Sequence, residues 1–217
     1  MCIRDSHYNV RLLKTLIEDN QEQFGRFIIT PFEHPDMQKL LKAVDPKKLL
    51  FVLRDVPSVP CSRISQDFGE QTFRALGQVA GKIKKYKKLV LIASAALAHP
   101  RSIADAVRRY CGATGIAYAE AGSLAGVTIS KGDAFLVVDD NALVEIIIRA
   151  KQLNLRPGTD IGIISYNDTP AKQVMADGIT TISADFAYMG KKAAEWLLSK
   201  KQVEEIVSAQ AIIRESL

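Results

Sequence analysis

Two hydrophobic patterns alternate along this chain. Short, continuous apolar runs occupy residues 27–30, 49–54, 89–93, 116–120, 134–138 and 161–165. None shows the polar alternation of a strand with one wet face, so they predict strands covered on both sides. Residues 62–65, 180–182 and 209–213 predict shorter strands. Helical spacing fills the gaps. Val10, Leu13, Leu16 and Ile17 share one face of a helix over 8–20, and further helices are predicted over 36–44, 70–86, 100–111 and 142–153. Another helix follows the strand at 161–165, and an amphipathic one opens at Asp185. Strands alternating with helices predict parallel βαβ units and an α/β fold. No repeat, low-complexity tract or disordered linker interrupts the series, and Arg156-Pro157-Gly158 reads as a turn before the next strand.

Composition changes little. Nearly half of the residues are apolar, about a quarter are charged, and the length suits one large domain or two small lobes. No apolar run reaches the roughly 18 residues that span a bilayer, which implies no membrane partner. The net charge of +5 owes much to residues 82–88, KIKKYKK. That run reads as the solvated end of a helix, where cations oppose the dipole, in preference to a nucleic-acid patch. Cys2, Cys61 and Cys111 have neither paired nor metal-like spacing, which fits a reducing cytoplasm better than a disulfide framework. Residues 1–6, MCIRDS, join no pattern and are read as a non-native leader.

Polar groups gather where strands end. Asp55 follows 49–54, Gln66 and Asp67 follow 62–65, Ser94 follows 89–93, Asp139 and Asp140 follow 134–138, and Asn167 and Asp168 follow 161–166. In a parallel sheet such ends lie along one edge, so side chains far apart in sequence converge. Carboxylates accept from sugar hydroxyls, amides donate and accept, and an aromatic face such as Phe32 or Tyr166 can cover a sugar ring. The competing role is helix capping, which suits Asp185 and Asp140. Motifs for enzymatic chemistry are missing: no G-x-G-x-x-G, P-loop, G-x-S-x-G or H-E-x-x-H occurs, and His7, His34 and His99 lie apart. Asp139-Asp140 as a magnesium pocket would need the acids at a first strand's end in a shorter chain. No catalytic residue, cofactor or metal is expected.

From about Tyr8 to Leu217 the chain resembles the effector-binding domain of the lactose-repressor and periplasmic sugar-binding family. The residues carrying this are Ile163-Ile164-Ser165-Tyr166-Asn167-Asp168, Gly178-Ile179-Thr180-Thr181-Ile182, Asp185-Phe186 with Met189-Gly190-Lys191-Lys192-Ala193-Ala194, Val137-Val138-Asp139-Asp140 and the closing Arg214-Glu215-Ser216. The resemblance implies two Rossmann-like lobes of type I periplasmic-binding-protein architecture, with the first strand of the N-lobe missing. The N-lobe would hold 7–64 and 184–204, and the C-lobe 66–182 and 206–217. Ile64-Ser65-Gln66-Asp67-Phe68, Lys131-Gly132-Asp133 and the run from Gly162 to Asp168 are similar to sensor domains fused to a GntR-type winged helix-turn-helix, a group that includes L-fucose-responsive regulators.

By position, the resemblance puts Asp55, Asp139 and Asn167 on sugar contacts and Gln66 and Asp67 at the first hinge crossing. Ser94, Tyr166 and Arg101 complete the expected set. Arg101 would substitute for the family's usual arginine, whose place falls near Ile103, Ala106 and Val107. Asn167 stands for the commoner Asp, and Asp139 for the commoner Asn. The implied protein is a cytoplasmic, dimeric transcriptional regulator and not an enzyme. It would sense a sugar or sugar derivative between two lobes and bind operator DNA through a domain that this chain lacks. A periplasmic sugar carrier of the same fold and a doubly wound enzyme are the alternatives. An incomplete N-lobe sheet also predicts poor solubility for the chain alone.

Overall fold

A computed structural model of the protein describes residues 2–94, 99–199 and 201–217. Met1 of the expected leader, residues 95–98 at the end of the apolar run and Lys200 of the expected N-lobe lie outside them. The chain divides into two compact units, Met1–Gln66 with Asp185–Val207 and Asp67–Ala184 with Ser208–Leu217.

Unit 1 begins with helix α1 (Val10–Glu18), strand β1 (Phe27–Ile29), α2 (Met37–Lys42), β2 (Leu49–Leu53) and β3 (Ser62–Ser65). Unit 2 follows with α3 (Phe68–Gln78), α4 (Ala80–Ile83), β4 (Lys88–Ile92), α5 (Arg101–Thr114), β5 (Ala117–Ala121), β6 (Asp133–Val137), α6 (Asp140–Gln152), β7 (Gly162–Tyr166), α7 (Pro170–Val174) and β8 (Thr180–Ala184). The chain returns to unit 1 for α8 (Phe186–Ser199) and β9 (Glu204–Ile206), then ends in unit 2 with β10 (Ala209–Ile212).

The sheet of unit 1 has the order β1-β2-β3-β9, all parallel. Its inner strands bury Leu49, Leu50, Phe51 and Ile64, while Leu41 of α2 and Met189, Ala193 and Trp196 of α8 are buried in the same unit. Removing each large apolar side chain from water contributes about 1.5–3 kcal/mol. The Trp196 indole N–H donates to Ser62 Oγ at 2.9 Å, which satisfies its one donor inside that core.

The sheet of unit 2 has the order β10-β8-β7-β6-β4-β5. Strands β4 to β8 are parallel and β10 pairs antiparallel with β8. Phe135, Val137, Val90, Ile92, Ile161 and Ile163 form one core with Leu143 and Ile146 of α6. Strands β6 and β7 are buried along their whole length, as the continuous apolar runs predict.

Local chemistry sets the element ends. Asn9 opens α1 by accepting from the Arg11 and Leu12 amides. Gly115 closes α5 in the left-handed region at φ 74, so the helix runs to Thr114, three residues beyond the predicted end. The single helix predicted over 70–86 is two helices, interrupted at Val79, with Gly77 and Gly81 flanking the break and weakening helical propagation on both sides. Strand β9 is not among the predicted elements, because two of its three residues, Glu204 and Glu205, are charged. Its charges suit an edge strand, where they discourage further pairing. Among the described residues, no helix is long and apolar enough to cross a membrane.

Candidate ligand-binding site

In unit 2 the chain leaves β4 toward β5 on one side of the sheet and comes back to β6 on the other. The two connections diverge at this point, which opens a crevice beyond the strands' C-terminal ends. The register aligns the strands that carry three of the expected residues. Ile92 is aligned with Val137, and Val137 with Ser165. Ser94, Asp139 and Asn167 each lie two residues beyond one of this aligned trio, so all three follow the C-terminal ends of the neighbouring strands β4, β6 and β7, at equal distance along the chain from the aligned residues.

Asp139, and not the predicted Asp140, is the N-cap of α6. Its backbone is extended, and its Oδ1 accepts from the Asn141 and Ala142 amides. Both bonds fall on one oxygen, so Oδ2 retains its acceptor capacity. Asp140 is the first helical residue, and its carboxylate pairs with Lys172 Nζ at 2.8 Å. That pairing engages one of the two Asp140 oxygens. Among the described residues, no group of three or more His, Cys, Asp or Glu could hold a metal ion.

Asn167 is exposed at φ 60, a region that Asn tolerates better than most residues. Its N–H donates to Ile182 O at 2.8 Å, and its carbonyl accepts from Lys172 Nζ at 2.8 Å. The backbone is thereby engaged, and the side-chain amide is the part presented at the edge. The identity of this residue therefore has a conformational cause besides any ligand.

Tyr166 departs from the expected open aromatic face. It is 2% exposed, its hydroxyl shares a 2.6 Å hydrogen bond with Thr72, and its ring lies 6.3 Å from that of Phe68. Burial pushes its phenol up to about 12, so it stays neutral. Thr72, which sequence reasoning missed, gave no signal beyond a helical position. Asp168 is held from the opposite side: Arg214 Nη1 and Nη2 donate to its two oxygens at 2.7 and 2.8 Å, and Thr181 Oγ1 donates at 3.0 Å. The guanidinium holds this carboxyl below the usual carboxylate range. Ser216 completes the closing motif, since its Oγ donates to Ile163 O at 2.7 Å and accepts from Thr180 N at 2.8 Å. Arg214 and Ser216 thus fasten the end of the chain to β7 and β8.

Asp67 caps α3 by accepting from the Glu70 amide at 2.9 Å. Arg101 is the exposed first residue of α5, after the connection that leaves β4. Ile103, Ala106 and Val107 of that helix are core residues, so none of them replaces the family's arginine.

In unit 1 the parallel strands bring Phe32, Asp55 and Gln66 beyond one edge. Phe32 is buried, with Tyr8 edge-on at 5.7 Å and His34 at 6.5 Å. The Arg54 N–H donates to Val52 O at 2.9 Å and closes a γ-turn on Leu53 at φ 73. This is the strained hand of that turn, and it bends the chain sharply before Asp55. Asp55 Oδ2 pairs with Arg63 at 2.8 Å, while its Oδ1 is buried with no hydrogen-bond partner among the described residues. Gln66 is 6% exposed, and neither polar atom of its side chain has such a partner. Buried acceptors and donors of this kind are what a neutral hydroxylated ligand can satisfy. Burial pushes the Cys61 thiol, just before β3, up to about 11, which keeps it in the less nucleophilic protonated form.

Residues 82–217 match the periplasmic binding protein-like domain, and the chain belongs to that family. Among solved structures, it is similar to a LacI family transcriptional regulator from Lactobacillus casei with bound sucrose, at a TM-score of 0.79 and 17% identity over 100% of this chain and 88% of that one. It is similar to the trehalose repressor from Escherichia coli, at 0.81 and 12% over 97% and 86%. It is also similar to a lac repressor dimer bound to operator and the anti-inducer ONPF, at 0.75 and 18% over 98% and 69%. Identities this low establish the fold: mixed α/β, two parallel-sheet units, of the type I periplasmic binding protein class. A comparison of the sequence with curated proteins finds no match.

Proposed function

We propose that this chain is the effector-sensing part of a transcriptional regulator and that it binds a sugar or sugar derivative without making or breaking a bond. The observation that carries the reading is the equivalent placement of Ser94, Asp139 and Asn167 after the aligned residues of β4, β6 and β7, beside the diverging connections of unit 2. A hydroxyl, a carboxylate oxygen and an amide in a row match the vicinal hydroxyls of a sugar. Asp55 and Gln66 of unit 1 offer the same kinds of group, and Arg101 remains a proposed contact. The sugar-liganded and operator-bound regulators among the similar structures support the same reading. Differential affinity for two states of the protein would convert occupancy into altered operator binding by a homodimer.

The sequence likeness to sensors fused to a GntR-type domain supports a winged helix-turn-helix in the natural protein. The edge of unit 1 supports a further strand there. Among the described residues strand β1 pairs only with β2, and an apolar hollow of about 820 Å³ lies beside it, lined by Leu13, Leu16, Phe24 and Ile28. An open edge flanked by apolar surface favours association. The 217-residue chain alone is therefore expected to sediment as mixed oligomers; a clean monomer would count against the missing strand.

The sensing role is tested by thermal shift on the full-length protein with D-glucose, D-galactose, D-ribose, L-fucose and their phosphates. A ligand present at 100 times its Kd stabilises by about 2.7 kcal/mol, which raises Tm by several degrees. One sugar is expected to do so, and Asn167→Ala should abolish its shift. No shift with any member of the panel would overturn the reading.

A further inference from the structure

We propose that Lys172 is a positioning residue for the ligand edge of unit 2: one buried ammonium ties the connection after β6 to the connection after β7, and so holds Asp139 and Asn167 in place relative to each other. The inference rests on the sugar-sensing reading for its functional half.

Lysine is almost never fully buried unless its charge is paired. Lys172 is 2% exposed, on the short helix α7. An ammonium has three N–H donors, and each finds an acceptor here: Tyr166 O at 2.7 Å, Asn167 O at 2.8 Å and Asp140 Oδ1 at 2.8 Å. Two acceptors belong to the turn that ends β7, and the third to the first turn of α6. The lysine's own backbone is fixed as well, because its N–H donates to Thr169 O at 3.0 Å and its carbonyl accepts from Ile179 N at 2.8 Å.

The tie sits next to both candidate ligand residues. Asn167 needs a left-handed backbone, which the hydrogen bonds from its own N–H to Ile182 O and from Lys172 Nζ to its own carbonyl hold in place. Asp139 immediately precedes Asp140, so the Lys172–Asp140 pair anchors the turn that Asp139 caps. A lysine reaching only one connection would stabilise the fold. A lysine reaching both sets the spacing between a carboxylate and an amide, which is what a rigid ligand reads.

Hydrogen exchange followed by mass spectrometry on the full-length protein tests the tie without any ligand. In Lys172→Met, peptides spanning 139–142 and 167–169 should both exchange faster, while β4 stays protected. Isothermal titration of the panel monosaccharide with the largest thermal shift tests the functional half. Its affinity should fall roughly 10- to 100-fold, because displacements of about 1 Å in a supporting shell cost that much. Leu89→Ala, in β4 away from the ligand edge, supplies a destabilised control, and its affinity should stay near that of the unsubstituted protein. Asp140→Asn covers the case in which Lys172→Met fails to fold, since the Asp140 side chain is 67% exposed. It should loosen 139–142 alone and weaken binding severalfold.

Wild-type exchange at either connection in Lys172→Met overturns the tie. So does Asp140→Asn with wild-type exchange at 139–142. Loosened connections with an affinity loss no larger than that of Leu89→Ala overturn the positioning role and leave the sensor reading standing. An unsubstituted protein that binds no sugar of the panel removes the sensor reading and the positioning role together, while exchange still decides the tie.

Discussion

Replacing Arg214 with methionine is expected to lower the stability of unit 2 by about 2–4 kcal/mol. Removing one partner of a fully buried ion pair costs about 3–5 kcal/mol, because the other charge is left unpaired. Both side chains here keep 18% exposure, so water screens part of that loss. The guanidinium also donates to Ile179 O at 2.8 Å, and that acceptor would be left open too. Urea denaturation at pH 7 measures the effect, and a loss under about 0.5 kcal/mol, the range of ordinary surface substitutions, would mean the pair is ornamental. The pH dependence has a definite sign. Arg214 lowers the folded-state pKa of Asp168. The stabilisation is therefore complete above the unfolded carboxylate value of about 4 and is lost as pH falls through the lower folded value. The difference between the two proteins should shrink as pH drops below about 4. Asn167 precedes Asp168 directly, so sugar affinity should fall with Arg214→Met as well.

Much of the architecture was legible because it is written in burial. The runs at 134–138 and 161–165 are strands covered on both faces, and the run at 49–54 is a strand buried over its first three residues, so apolar residues dominate all three. What sequence reading missed has weaker local causes. Strand β9 exists because β3 offers it an edge, and its Glu204 and Glu205 carry no strand signal. The antiparallel direction of β10 comes from the tertiary path and leaves no trace in periodicity. Lys172 carries no sequence signal, since its acceptors are two backbone carbonyls and an aspartate that is distant in sequence and sits on α6.

The candidate site's residues are ambiguous in the sequence for a related reason. Strand ends collect polar groups both to bind ligands and to start helices, and the two purposes select the same residue types. Asp67 and Asp139 are both helix caps. Only Asp139 also follows its aligned strand residue at the same distance as two other polar residues beside diverging connections, and only the register reveals that. Tyr166 shows the opposite case. Its place at a strand end suggested a ring open to ligand, yet its hydroxyl is spent on Thr72 in the core.

Gly158→Ala is the second substitution expected to be severe, although Arg156-Pro157-Gly158 reads only as a turn. Gly158 lies at φ 78, and a Cβ built there would stand 1.8 Å from the backbone oxygen of Glu215. The left-handed backbone costs an L-residue about 1–2 kcal/mol. Displacing packed backbone to make room adds about 1–3 kcal/mol by analogy with overpacked cores. A total of about 2–5 kcal/mol is expected, read as the shift in the urea midpoint. Gly158 faces the closing segment, which carries Arg214 and Ser216, so the damage should travel: amides of β8 near Thr180 and the connection at 167–169 should exchange faster. Gly190→Ala is the contrasting case. It lies inside α8 with nothing within 4 Å of a built Cβ, and should stabilise by about 0.5–1 kcal/mol through helix propensity and a less disordered unfolded chain. If both glycine substitutions had similar effects, the close approach of Glu215 to the turn would be refuted.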